Sequence, residues 1–68
     1  MTVEISEIKP GAKFEKAETK EIILIDSVKG GMVSASSIDD KGNIISKNQS
    51  PIQVYLTALN ALNFYKIN

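Results

Sequence analysis

The segment from Glu21 to Asp39, EIILIDSVKGGMVSASSID, decides how this chain folds. Ile22, Ile23, Leu24 and Ile25 fill both phases of an alternating strand, the pattern of a strand covered on both faces. Gly30-Gly31 follows at once, and two adjacent glycines take the positive φ angles that a two-residue hairpin turn demands. The residues from Met32 to Asp39 then return antiparallel, with Met32, Ser34, Ser36 and Ile38 on one face and Val33, Ala35 and Ser37 on the other. A central strand joined to its neighbour by a tight turn is the nucleus of a β-meander.

Reading outward, Asp39-Asp40-Lys41-Gly42-Asn43 is a second turn, in which Asp bonds the backbone ahead and Gly takes the left-handed position. Residues 43–48 continue as a strand, with Ile44 and Ile45 pointing to opposite faces. Upstream, Val3, Ile5 and Ile8 predict a strand over residues 2–8, closed by the turn dipeptide Pro10-Gly11, and Phe14 marks another short strand in the charged run AKFEKAETK. At Ser50 the apolar period changes from two to 3.6. Ser50 reads as an N-cap, Pro51 as the first helical residue and Gln53 as the partner that completes a capping box. Ile52, Tyr55, Leu56, Leu59 and Leu62 extend the helix over about 51–63, and the final FYKIN reads as a strand that pairs with the N-terminal one. The expectation is a single domain over 1–68, α+β and mainly β: an antiparallel meander of four to five short strands, an SH3-like small barrel or curled sheet, with one C-terminal helix.

Composition removes most chemistry. Among 68 residues there is no cysteine, histidine, tryptophan or arginine, and eight lysines balance eight carboxylates. Disulfides, thiolate metal sites, the usual zinc ligand and the usual general base are therefore excluded. Asp39, Asp40 and Asn43 lack the distal bidentate Glu of a calcium loop, since no acidic residue follows Asp40. Ser34, Ser36 and Ser37 have no base paired with them by any catalytic motif. These observations predict a protein that is not an enzyme and has no cofactor. The longest wholly apolar run is four residues, Ile22 to Ile25, against the roughly twenty that span a bilayer, so a soluble, cytoplasmic protein without membrane contact is expected. Lysine without arginine, with abundant Ile and Asn, is the product of AT-rich coding DNA and suggests a low-GC bacterium or its phages.

Charge is unevenly spread. The run from Lys9 to Asp26 mixes both signs, whereas the eighteen residues between Lys47 and Lys66 carry none. Projected at 100° per residue, the helix has an apolar arc of about 220°, wider than the 100° or so that one core needs. Val54, Ala58, Ala61 and Tyr65 recur at i, i+4, i+7 and i+11 beside the main apolar stripe, and the alanines admit close approach of a second backbone. Two explanations are open: a sheet that curls round to bury both helix faces, or association with another chain. The second predicts a homodimer or higher assembly and a protein partner, with Val54, Ala58, Ala61 and Tyr65 at the interface and Tyr55 and Asn60 at its rim. The alternative function is single-stranded nucleic-acid binding, for which Lys13, Phe14 and Lys16 are the one local hint; Glu15 and Glu18 offset their charge, and zero net charge weighs against it.

The Gly11 to Phe14 opening, the EIILIDSV and GMVSAS hairpin and the final FYKI resemble the strand order of SH3-like or Tudor-like small barrels, in which a turn of helix precedes the last strand, and many such proteins come from phages and mobile elements. The order also resembles the ββββα dimers that bind single-stranded DNA. The likeness spans the chain and rests on strand order and turns, so it implies a fold, licenses no function and carries over no binding residue. The function expected from the residues is a non-enzymatic interaction module, which in a phage or mobile-element setting modulates a host protein.

Overall fold

Gly30 and Gly31 turn the chain at φ +57° and +76°, values readily taken by a residue without Cβ. The strands they join are adjacent with no intervening loop. The computed structural model describes residues 2–68 and contains β1 (Lys13–Lys16), β2 (Ile22–Lys29), β3 (Met32–Ile38), β4 (Ile44–Pro51), helix α1 (Ile52–Ala61) and β5 (Phe64–Lys66). The strands form one antiparallel sheet in the order β4-β3-β2-β1-β5. As the sequence predicts, the fold is α+β and mainly β, with the helix after the meander. The sheet is open, and β4 and β5 are its edges.

Register decides which side chains meet. Phe14 lies opposite Ile23, Ile25 opposite Ala35, and Val28 opposite Val33, and all of these face α1, whose Tyr55 and Leu59 are buried against them. Phe64 joins this core from β5, while Val3, Ile8 and Ala12 pack at its margin. Each Val, Leu, Ile or Phe among them contributes roughly 1.5–3 kcal/mol when fully buried. On the other face Ile22, Ile38 and Ile44 stand in one row across β2, β3 and β4. Ile23 and Ile25 are thus buried while Ile22 and Leu24 are half-buried, so β2 has one core face and one partly covered face rather than two equal ones. Between Ile25 and Ser27 the ladder shifts by one residue. The extra residue, Asp26, accepts a 2.6 Å hydrogen bond from the buried Ser36 hydroxyl.

The local expectations fail at three places, each for an identifiable reason. Residues 2–8 are not a strand: Ile5–Glu7 form a 3-10 turn, closed by the Glu7 carboxylate accepting from the Glu4 N–H at 2.9 Å. The last strand consequently has no strand there to pair with and pairs with β1 instead, Glu15 opposite Tyr65. Ser50 does not cap the helix, because β4 runs on to Pro51, with Ser50 opposite Val33 and Pro51 opposite Met32. Pro51 is the N-cap residue and makes no side-chain cap; the Ile52 N–H instead donates to the Gly31 carbonyl at 2.8 Å. At the other end α1 stops at Ala61, and Asn63 takes the left-handed φ of +59° that Asn tolerates at a helix C-terminus.

Asn60 ties the chain ends together. Its Oδ1 accepts from the Val3 N–H at 2.6 Å, and its Nδ2 donates to the Val3 carbonyl at 3.1 Å. The amide thereby replaces a strand partner for the N-terminal segment and holds buried Val3 under the helix. Asn60→Ala is expected to lower stability to urea by about 1–2 kcal/mol and to accelerate amide exchange at Val3 with little change in β2 and β3; unchanged exchange at Val3 would show that the amide holds nothing.

Candidate functional site

Two surfaces of α1 are candidates. The first lies beneath it. The helix leaves the sheet at Pro51, the end of β4, and returns at Phe64, the start of β5, so it crosses from one edge toward the other and its second half diverges from β4. The wedge that remains is a cavity of about 310 Å³. Ile23, Leu59 and Phe64 form its apolar floor, and Ala58 and Leu62 its helical wall. Asn48, Gln49 and Ser50 line the β4 side, while Lys16 and Glu21 stand at the far end, where Ser37 donates to Glu21 Oε2 at 3.3 Å.

Tyr55 is the unusual member of this wall. Only 7% of it is exposed, and its hydroxyl is buried with no hydrogen-bond partner among the described residues. A buried hydroxyl left so costs about 1–3 kcal/mol, and native folds keep few of them. Burial pushes the Tyr55 phenol up to about 12, and the negative charges of Glu21 and Asp26 push in the same direction. The group is a neutral hydrogen-bond donor at physiological pH.

The second surface is the outer side of the helix. Val54, Ala58 and Ala61 come together there with Gln53 and Thr57 around a shallow groove of about 440 Å³, and Val54 is 59% exposed. The other three residues expected at this interface stand elsewhere. Tyr55 is in the core, and Asn60 is turned to Val3. Tyr65 lies in β5 beyond the end of the helix; its hydroxyl donates to Glu15 Oε2 at 2.6 Å on the sheet face away from α1. That bond raises the Tyr65 phenol above its ordinary value.

The residues of the nucleic-acid alternative do not converge. Phe14 is fully buried and has no face on which a base can stack, and Lys13 and Lys16 leave β1 on opposite sides. Asp39 is occupied within its turn: its Oδ1 accepts from the N–H groups of Lys41 and Asn43 at 2.9 and 2.8 Å. The bond from Asn43 leads the causes that hold this carboxyl below the usual range. Among the described residues no three acidic side chains gather as a metal site. No family model, curated protein or solved structure matches the chain.

Sequence reasoning missed the cavity. Its one local sign was the all-polar strand SKNQS from Ser46 to Ser50, an edge strand that contributes nothing to the core beside it.

The Tyr55 phenol titrates higher in the folded chain than its unfolded value of about 10. Folding therefore favours the protonated form, and the associated stability is complete below about pH 10 and lost as pH rises toward 12. Tyr65 acts in the same direction. Tyr55→Phe is expected to be at least as stable as the parent at neutral pH and to lose less stability in urea melts between about pH 10 and 12. A variant that is weaker at neutral pH, or equally sensitive to alkali, would contradict this account of the hydroxyl.

Proposed function

We propose that the chain is a non-enzymatic interaction module that self-associates through the outer face of α1 and, as a small oligomer, engages a protein partner. One observation carries this reading: Val54, 59% exposed, sits with Ala58 and Ala61 on a helix inside eighteen consecutive uncharged residues. A two-fold interface brings each patch against its own copy, so a charged patch would meet like charge, and this one meets none. The alanines let two helices approach toward the short end of the usual 8–10 Å packing distance. Size adds a reason, since a chain this short buries only about 60% of the surface it exposes when unfolded, and association supplies further apolar burial.

Among the described residues no helix is long and apolar enough to cross a membrane. The reading takes the cytoplasm as the setting and, from the lysine-only basic residues, a phage or mobile element as the source, where a module of this kind modulates a host protein.

Light scattering at micromolar concentration is expected to give twice the chain mass for the native protein and the single-chain mass for Val54→Lys, with both unaffected by salt because the interface is neutral. A monomeric native protein, or a dimeric Val54→Lys, removes the proposal. An oligonucleotide titration with tight binding at low salt and steep weakening as salt rises would favour the nucleic-acid alternative instead.

A further inference from the structure

The two edges of the sheet are unequal. β5 has only three residues, Phe64–Lys66, and offers little to pair with. β4 has eight, Ile44–Pro51, and from Ser46 to Ser50 it matches β3 residue for residue, without a bulge. Among the described residues no backbone or side-chain group bonds the side of this run turned away from β3. Proteins usually guard such an edge with charge, proline or a bulge. Here Lys47 is the only charge in the run, proline comes only at its end, and the ladder shift lies before it, between Ile44 and Ser46.

The wedge cavity adjoins this edge. By register Ser46, Asn48 and Ser50 lie opposite Ser37, Ala35 and Val33, so the α1 side of β4 carries only short polar groups at the cavity margin. A strand added beside β4 alternates its side chains above and below the sheet, and those on the α1 side come to the wall made by Ala58 and Leu62. Leu62 is 48% exposed although Leu59 and Phe64 next to it are buried. The space of about 310 Å³ is about twice the roughly 150 Å³ that accepts a benzene molecule in a protein interior. In the same wall the buried Tyr55 hydroxyl lacks a partner.

We infer that β4 and the cavity together form a peptide-binding groove: an extended segment of a partner protein adds to the sheet beside β4 and inserts an apolar side chain beneath the second half of α1. Main-chain hydrogen bonds to Ser46–Ser50 supply affinity and the cavity supplies selectivity, the division of labour in strand addition generally. A second copy of this chain does not fit the role. Its own β4 brings Ser46, Asn48 and Ser50 to the cavity, none of them apolar, and its β5 brings Lys66 and an already buried Phe64. The occupant is therefore a different protein's segment with apolar residues at alternate positions. This deepens the reading as an interaction module, and the groove shares only Ala58 with the face assigned to the helix-mediated dimer.

The test is selection from a displayed random-peptide library on the native protein, with counter-selection on Leu62→Lys. Enriched peptides are expected to alternate apolar and polar residues, to bind Leu62→Lys at least tenfold more weakly, and to shift the amide resonances of Ser46–Ser50. Methylating the alternate peptide nitrogens that face β4 should abolish binding to the unaltered protein, a result that does not depend on any variant folding. Val54→Lys, outside the cavity, is expected to bind the same peptides as the parent, which separates failure of the dimer from failure of the groove. No enrichment, equal binding to Leu62→Lys, indifference to N-methylation, or shifts confined to the opposite sheet face would each overturn the inference.

Discussion

The register of the β2–β3 hairpin is the constraint on which everything else rests. Side chains alternate with a period of two, so a slip of one residue would turn Val33 and Ala35 away from the core and bring Met32 and Ser34 into it. A two-residue turn built from Gly30 and Gly31 leaves no slack for such a slip. The same turn anchors the helix. Because β3 starts immediately after Gly31, Pro51 finishes opposite Met32, and the next N–H, that of Ile52, reaches the Gly31 carbonyl. The helix thus begins where the hairpin ends, and its path over the core follows from that starting point.

From there simple dimensions create the cavity. Ten helical residues at a rise of 1.5 Å extend about 15 Å, whereas five strands spaced at about 4.8 Å are about 19 Å across. A helix of this length, fixed near one edge and followed by a strand at the other, crosses the sheet once and cannot cover all of it. The residues close to its path, Phe14, Ile25, Val33 and Leu59, are fully sealed. The corner it leaves open is bordered by the run Ser46–Ser50 of β4, which has no apolar side chain. Cover and exposure on this small domain are thus consequences of one crossing, and the neutral outer face of α1 is the remainder of the same helix.

What could be read from residues was what is encoded locally. The glycine pair, the Asp39–Asn43 turn and the change from period two to period 3.6 each depend on a few neighbouring residues. Both turns stand where the sequence places them, while the helix starts at Ile52, after β4 has carried Ser50 and Pro51. The errors arise where distant parts compete with local preference. Val3 and Ile5 alternate as in a strand, but Glu7 reaches back to Glu4 and Asn60 takes the place of a neighbouring strand. Ser50 and Gln53 match a capping pattern, yet pairing with Val33 holds Ser50 in the ladder. Tyr65 fell on the helical projection only because the projection ran past Ala61. Asn60 looked exposed for a related reason: nothing near it in sequence announces that residue 3 returns to meet it. The cavity was the least legible feature, since it is made by the divergence of two elements and by no motif in either.

The clasp between Asn60 and Val3 also governs when the protein can finish folding. It joins residues 57 positions apart, and β1 lacks its outer neighbour until Phe64–Lys66 are available. Both closures use the earliest and latest parts of the chain, so neither can form while synthesis has reached only the meander. On the ribosome the β2–β3 hairpin is free to assemble as soon as it emerges, but its apolar face stays unsheltered until α1 and β5 follow. The completed fold is therefore reached only after residue 66 has been released from the tunnel, and the order of assembly is imposed by topology rather than by local propensity.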